Sequence, residues 1–375
     1  MAPIRIAIIG VGLIGKVHLD NYAKIAGADI VAVCDVNEEE ARAVAATYHI
    51  PHVYTDYREL LKRDDIDAVD VCLHNNFHAP VSIAAMQAGK HVYCEKPIAG
   101  TYADGKAMCD AAKATGRMLH IQLGTLYRKE TKAAKALIED GRLGKLYHAR
   151  STGHRRRGRP FVDGYGTKFF TRKESATGGA VLDMGVYHIA QLLYLLGNPE
   201  VKRITGKVYQ EMDMDEARRR ESGFDVEELG TGFVTMADGI TMDIIEAWSI
   251  HLGPFEGSSI AGSLGGIRLP AYSNSSAAGN GFSFHSTISD IDFDSYPDLN
   301  AMDIRWNRLR DNQDAYESSQ HHWIAALQGR VELLPTAELA LQTMLISEGI
   351  YLSDRLAREV TAEEVIANSE AKGCM

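Results

Sequence analysis

Three glycines spaced Gly10-x-Gly12-x-x-Gly15 stand between a mostly apolar run, Ile4 to Ile9, and an amphipathic stretch that reaches Ile25. Glycine suits a dinucleotide at each position: for a tight turn, for backbone approach to a pyrophosphate, and for close helix–strand packing. The pyrophosphate would rest on the N–H groups at the helix start, where the dipole favours anions, with Leu13 and Ile14 completing the turn. The string alone is weak. Its strand–turn–helix setting, with Asp35 ending the next apolar run about 20 residues on, makes it specific. Asp35 has a bland reading as a polar cap and a functional one as acceptor for the ribose hydroxyls. A 2′-phosphate would meet like charge there, and Val36 and Asn37 supply no arginine to offset it. The expected cofactor is therefore NAD.

A second string, His91-Val92-Tyr93-Cys94-Glu95-Lys96-Pro97, follows the pattern of a strand ending in charge. With the glycine turn, Asn75-x-x-His78, Gly178-Gly179 through Gly197 and Gly262-x-x-Gly265-Gly266, it resembles the Gfo/Idh/MocA oxidoreductases over nearly the whole chain. The resemblance implies that Lys96 precedes a cis proline and points toward nicotinamide and substrate. It also places Leu73, His74, Asn75, His78, Glu95, Lys96 and Arg172 on the cofactor side. Leu73-His74 departs from the family, where Thr-Pro is common. The bland reading of Glu95-Lys96 is a solvated surface pair.

The same resemblance puts Tyr187 where many members carry a catalytic His. Asp183 and Tyr187 are four apart and would share a helix face, whereas His188 would be turned about 100° away. Alcohol oxidation needs a base for the hydroxyl proton. Imidazole titrates near 6.5 and phenol near 10, which favours His188, yet a phenol beside Lys96 and a cationic nicotinamide would be easier to ionise. Register and face favour Tyr187. Our assignment is Tyr187 as acid/base, Lys96 orienting the hydroxyl and polarising its oxygen, and Asp183 bonding Lys96 or a substrate hydroxyl. His188 stands as the alternative proton carrier or as a packing histidine.

Other candidates are weaker. His154-Arg155-Arg156-Arg157-Gly158-Arg159 reads as a solvated face, or as a flap in which Arg156 holds substrate. Lys168 is a substrate candidate near the glycine pair. Trp248 could stack on a sugar or simply fill the core. The doublet His321-His322 lacks further ligands, and no metal is expected.

The elements that must position these residues fall into two patterns. Short apolar strands alternate with helices over the first third, as in a doubly wound parallel sheet. Helices are expected at 38–48, 57–62 and 80–88, and strands at 30–34, 68–73 and 91–94. After about residue 125 the signals become α+β: helices near 132–140 and 186–196, and a hairpin at Asp238-Gly239 between period-2 runs. Segments 210–228 and 273–281 read as loops, and an amphipathic helix at 337–357 could pack on either domain. The expectation is an α/β chain with a Rossmann domain over 1–125, and over 126–375 a substrate-binding α+β domain with a mostly antiparallel sheet.

Composition sets outer bounds. The chain is 45% hydrophobic and 24% charged, with a formal net charge of −10, which disfavours nucleic acid as a partner. Five cysteines without CxxC spacing suggest a reduced, cytoplasmic setting. The apolar start is broken by glycine and reads as strand and turn, not as a signal peptide. No apolar run is long enough for a membrane span.

The leading functional expectation is hydride transfer between nicotinamide and a carbinol carbon of a sugar, cyclitol or glycoside, with ring C3 of a glycoside attractive. The alternatives are a glycosidase that uses bound NAD transiently, and a catalytically silent nucleotide- and sugar-sensing protein. The set of Lys96, Asp183 and Tyr187 argues against the sensor. A homodimer or homotetramer through the second-domain sheet is expected, because such a sheet needs cover on its outer face.

Overall fold

The computed structural model describes residues 3–164, 166–271 and 281–373. The chain divides into two units, the first built from 3–122, 305–338 and 371–373 and the second from 123–304 and 339–370. The first unit holds strands β1 (Ile4–Ile9), β2 (Ala28–Cys34), β3 (His52–Tyr54), β4 (Ala68–Val71), β5 (His91–Cys94) and β6 (Leu119–Ile121). Between them run helices α1 (Leu13–Tyr22), α2 (Glu38–Tyr48), α3 (Tyr57–Leu61), α4 (Asn75–Gln87) and α5 (Tyr102–Thr115). The strands pair in parallel in the order β3-β2-β1-β4-β5-β6. Helices cover both faces, which is why β4 and most of β1, β2 and β5 are buried along successive residues. The order reverses between β1 and β4, and ligands bind such sheets beyond the carboxyl ends of the strands at that point.

Two sequence expectations shift here. Helix α4 begins at Asn75, not at Pro80; the proline is not the first helical residue but sits in the second turn and forgoes one backbone bond. Strands β3 and β6 and helix α5 were not anticipated, the strands being three residues each.

The second unit contains α6 (Lys129–Glu139), β7 (Leu146–His154), α7 (Lys173–Ala176), α8 (Ala180–Asp183), α9 (Gly185–Leu196), β8 (Val201–Tyr209), α10 (Glu216–Ser222), β9 (Leu229–Met236), β10 (Thr241–Ala247), β11 (Ser259–Gly262), β12 (Gly265–Arg268), β13 (Ser283–Ile288) and β14 (Ile291–Ser295). After α11 (Leu299–Leu309) and α12 (Ser319–Leu327) come α13 (Thr336–Leu356), β15 (Val360–Thr361) and α14 (Ala362–Asn368). Among the described residues, nine strands form one sheet in the order β14-β13-β12-β11-β7-β10-β9-β8-β15. Within it β7 and β10 run parallel, and the other described pairs are antiparallel.

The Asp238-Gly239 turn joins β9 to β10 as its residues require, with both in the positive-φ region. Val234, Met236, Met242 and Ile244 are buried on the inner face, while Phe233 points outward and is 43% exposed. The 210–228 segment is not all loop: Asp215 caps α10 by accepting from the Arg218 N–H. The expected loop at 273–281 lies outside the described residues apart from Gly281.

The boundary near residue 125 also needs amendment, because the chain returns to the first unit. Helix α12 carries Trp323 and Ile324 into the core formed by Leu19, Tyr22 and Tyr93. Trp323 is fully buried and stacks on His120 with ring centroids 5.8 Å apart. The Tyr93 hydroxyl donates to Ser319 at 2.9 Å. Apolar burial thus assigns 305–338 to the first unit. Among the described residues, no single helix is long and apolar enough to cross a membrane.

Candidate active site

Nucleotide-binding geometry lies in the first unit. Gly10 has φ +94°, and a Cβ there would sit 2.4 Å from the Cys72 carbonyl oxygen. A Cβ on Gly15 would sit 2.2 Å from the Gly10 carbonyl oxygen. Both positions therefore exclude any side chain. Gly12 opens α1, whose first turn has no side-chain cap, and the space beside it is clear. Its N–H groups are thus available to an anion. The Asp35 carboxylate accepts from the Val11 N–H and the Asn37 N–H, each at 2.9 Å. It is more than a strand cap, since one of those bonds reaches into the glycine turn. Leu13 and Val36 flank the turn with exposures of 77% and 92%. This arrangement fits NAD.

Beyond β5 the chain turns through Glu95, Lys96 and Pro97, with the Lys96–Pro97 bond cis. The solvated-pair reading of Glu95-Lys96 does not hold: Glu95 is buried. One Glu95 oxygen accepts from His18 Nε2 at 2.9 Å and the other from the Lys96 N–H at 3.0 Å. Burial alone would raise the Glu95 pKa, but the His18 hydrogen bond and the charges of His18 and Lys96 hold it below the usual carboxylate range. His78 is buried, with its ring nitrogens 2.8 Å from the Pro97 carbonyl and 3.0 Å from that of Leu73. Desolvation lowers its pKa, so a neutral ring donates its single N–H to one of those carbonyls. His78 and Leu73 thus act through backbone, bracing the turn that carries Lys96. His74 precedes α4 and Asn75 begins it.

His18, Asp70 and Cys72, which sequence reasoning missed, complete this cluster. His18 Nδ1 lies 2.9 Å from Asp70 and 3.2 Å from Cys72 Sγ, and Cys72 lies 3.3 Å from Asp70. Among the described residues, this is the one group offering three possible metal ligands within 4.8 Å of one another. Ligands on a tetrahedral ion with bonds of about 2.0–2.3 Å lie about 3.3–3.8 Å apart, so these are hydrogen-bond spacings. Burial opposes charge on His18, but Asp70 and Cys72 overcome it and raise the pKa. A lone Asp inside the apolar run Ala68-Val69-Asp70-Val71 was the available signal.

The acid/base candidates lie in the second unit. Asp183 ends α8 and Tyr187 lies in α9, and the axes on either side of Met184 meet at 51°. The expected continuous helix with one shared face is therefore interrupted. Gly185 packs against buried Glu246, where a Cβ would lie 3.1 Å from the Glu246 Cγ. Asp183 accepts from the Trp248 indole N–H at 3.1 Å. That bond makes Trp248, fully buried, a core and orienting residue and not a stacking platform. Tyr187 is half-buried, and its carbonyl accepts from the Thr125 hydroxyl. His188 is 4% exposed, with Nδ1 3.0 Å from both Glu246 oxygens, and Ser151 donates to the same carboxylate at 2.8 Å.

The glycine pair before α8 is held by a second buried acid. Glu227 accepts from the Gly179 and Val181 N–H groups at 2.8 and 3.0 Å and from the Tyr351 hydroxyl at 2.8 Å. Burial pushes its pKa up against those three donors.

The basic run does not behave as a solvated face throughout. Arg159 is fully buried, paired with Asp163 at 2.9 Å and Glu228 at 2.8 Å. Arg156 is exposed, and its carbonyl accepts from Ile250 beside the strand end that carries Trp248. Lys168 is exposed, and Arg172 donates to the Ser222 carbonyl at 2.7 Å. His322 is a packing residue: its Nδ1 lies 3.2 Å from the Ala315 carbonyl and its Nε2 accepts from Leu334 N–H.

Residues 4–123 match the profile described as the oxidoreductase family, NAD-binding Rossmann fold, and 131–268 match the GFO/IDH/MocA C-terminal domain. A D-glucoside 3-dehydrogenase of Escherichia coli is 34% identical over 212 residues, 56% of this chain and 59% of that protein. A myo-inositol 2-dehydrogenase of Thermotoga maritima is 32% identical over 200 residues, 53% of this chain and 57% of that protein. The chain thus matches less than two thirds of either relative's length. An oxidoreductase domain protein from Kribbella flavida shares the fold, with a TM-score of 0.80 at 20% identity, over 96% of this chain and 100% of that one.

Proposed function

The chain belongs to the Gfo/Idh/MocA family of NAD-binding oxidoreductases, and on that premise we propose that it transfers hydride between NAD(H) and a carbinol carbon of a sugar, cyclitol or glycoside. The observation that carries this reading is the Gly10–Gly15 turn opening an uncapped α1, with Asp35 fixed at the end of β2. The turn and helix amides hold the pyrophosphate. Asp35 accepts from the adenosine ribose and repels a 2′-phosphate. When bound, the nicotinamide supplies the site that accepts or returns hydride.

The remaining roles fall to this chain's own groups. Lys96 donates to the substrate oxygen and favours its charged form. Tyr187 takes the hydroxyl proton at its phenol oxygen. Asp183, oriented by Trp248, accepts from a neighbouring substrate hydroxyl, and Arg156 and Lys168 contact the outer part of the substrate. The exposure of Tyr187 and the burial of His188 on Glu246 support that division of labour. A glycoside oxidised at ring C3 leads among substrates, in line with the E. coli relative. A homodimer or homotetramer through the outer sheet face and a cytosolic setting complete the proposal; Cys34, Cys72, Cys94 and Cys109, none in a disulfide, support the latter.

The test is to denature purified protein and assay released NAD(H), titrate NADH into any cofactor-free fraction, and screen sugars and glycosides for a change in nicotinamide redox state. The expected result is NADH binding with turnover of at least one glycoside or cyclitol. A protein that neither releases nor binds NAD(H) overturns the reading.

A further inference from the structure

Three ionisable groups, His18, Asp70 and Glu95, are buried together at the carboxyl end of β4 and β5. Taking charges out of water costs several kcal/mol per ion, and well-packed apolar residues would serve stability as well or better. The cluster therefore calls for a reason other than stability, and its connections supply one. His18 lies in α1, about 9 Å along the helix from Gly12 at 1.5 Å per residue. Its Nδ1 is bonded to Asp70 on β4, and its Nε2 to Glu95 after β5. Two residues beyond Asp70, the Cys72 carbonyl abuts Gly10 so closely that no side chain fits there. Glu95's second oxygen is committed to the Lys96 N–H. Taken together, the links run from the glycine turn through Cys72, Asp70, His18 and Glu95 to the turn that carries Lys96.

We propose that His18 is a positioning residue: bridging Asp70 and Glu95, it locks the Lys96 turn to α1 and β4, so that Lys96 is held in fixed register with the amides that receive the pyrophosphate. The proposal rests on the roles given above to Lys96 and the glycine turn. A neutral ring could donate to only one carboxylate, whereas the raised pKa of His18 keeps both ring nitrogens donating. His78 braces the same turn from the Pro97 side, so loss of His18 is expected to loosen Lys96 without releasing the whole loop.

The test is a double-mutant cycle of His18→Gln with Lys96→Met, read by kcat, by NADH affinity from fluorescence, and by the acetylation rate of Lys96 in the intact protein. His18→Gln alone is expected to lower kcat by about 10- to 100-fold, the scale of a misplaced reacting group, with NADH affinity changed less than threefold. In the Lys96→Met background the same substitution is expected to cost less than twofold, because its effect runs through Lys96. Equal losses in both backgrounds, or a loss of NADH affinity matching the loss of kcat, overturn the proposal. If His18→Gln does not fold, Glu95→Gln breaks the same bridge with less change of shape. A Lys96 acetylation rate within twofold of wild type in the bridge variant also overturns it. Wild type that binds no NADH overturns the reading under Proposed function instead, and the acetylation rate still decides on the bridge.

Discussion

Tyr187 and His188 are adjacent in sequence yet meet different surroundings. The imidazole is enclosed, with Nδ1 against a carboxylate that also receives Ser151. The phenol belongs to a half-buried residue, turned about 100° from His188 around the helix. Tyr187→Phe keeps the ring and removes only the hydroxyl, so it is expected to lower kcat for alcohol oxidation by about 10²–10⁴-fold, the usual worth of a placed acid/base, while NADH affinity holds. The alkaline rise of the kcat profile should vanish with it. His188→Asn is expected to cost about tenfold or less in kcat through placement, along with some stability, since it breaks a buried pair with Glu246. Steady-state kinetics across pH on both variants decides, and the reverse ranking moves the proton path to the imidazole.

At the level of elements, α8 and α9 are seated on two buried acids, Glu227 in the segment just before β9 and Glu246 on β10. Glu227 ties down the start of α8, and Glu246 seats the start of α9. Glu227 accepts from three donors, which a carboxylate can satisfy and an amide cannot. Glu227→Gln should therefore turn one N–H against the Gly179 or Val181 amide and lower stability by about 1–3 kcal/mol, measured by urea unfolding. Activity should fall as well, because α8 carries Asp183.

The same elements show what sequence could and could not reveal. The glycine turn, Asp35 and β5 through Lys96 were legible because strand, turn and helix chemistry agree over a few residues. The break at Met184 was not, since Asp183 and Tyr187 keep helical spacing in sequence and the Glu246 side chain packed beside Gly185 comes from a strand some 60 residues away. Arg159 misled for the same reason: its partners Asp163 and Glu228 turn a string of charges into an interior ion pair that no local pattern announces.

Across the whole molecule, buried ion pairs set the response to acid. Burial would raise the Asp163 pKa, but hydrogen bonds and charge from Arg159 lower it, and Glu95 is lowered likewise. A group depressed on folding stabilises above its unfolded pKa, about 4 for a carboxyl, and that stability is lost as pH falls through the folded value. Glu227 is raised and works with the opposite sign. His78, His120 and His322, whose pKa values burial lowers, take up protons on unfolding once pH falls through about 6.5. The thermal midpoint should therefore decline from pH 7 to 5 and drop further below about pH 4, where Asp163 and Glu95 lose their pairing. Asp163→Asn should cost about 3–5 kcal/mol at pH 7, by leaving Arg159 short of a partner, and less near pH 3. Circular-dichroism melts at both pH values check this.

The return of the chain to its first unit at residues 305–338 also bears on how the protein is made. Leu19, Tyr22 and Tyr93 leave the ribosome early, but Trp323, which packs among them, follows 230 residues after the last of them. At about 5–20 residues per second, the nascent nucleotide-binding sheet waits about 12–46 s with that side of its core open. The second unit is almost wholly synthesised in the interval. A sheet of this kind would ordinarily be finished first, domain by domain, as translation proceeds. Here its completion is deferred almost to the end of synthesis, and the interrupted core is the state in which the newborn chain is most exposed to aggregation.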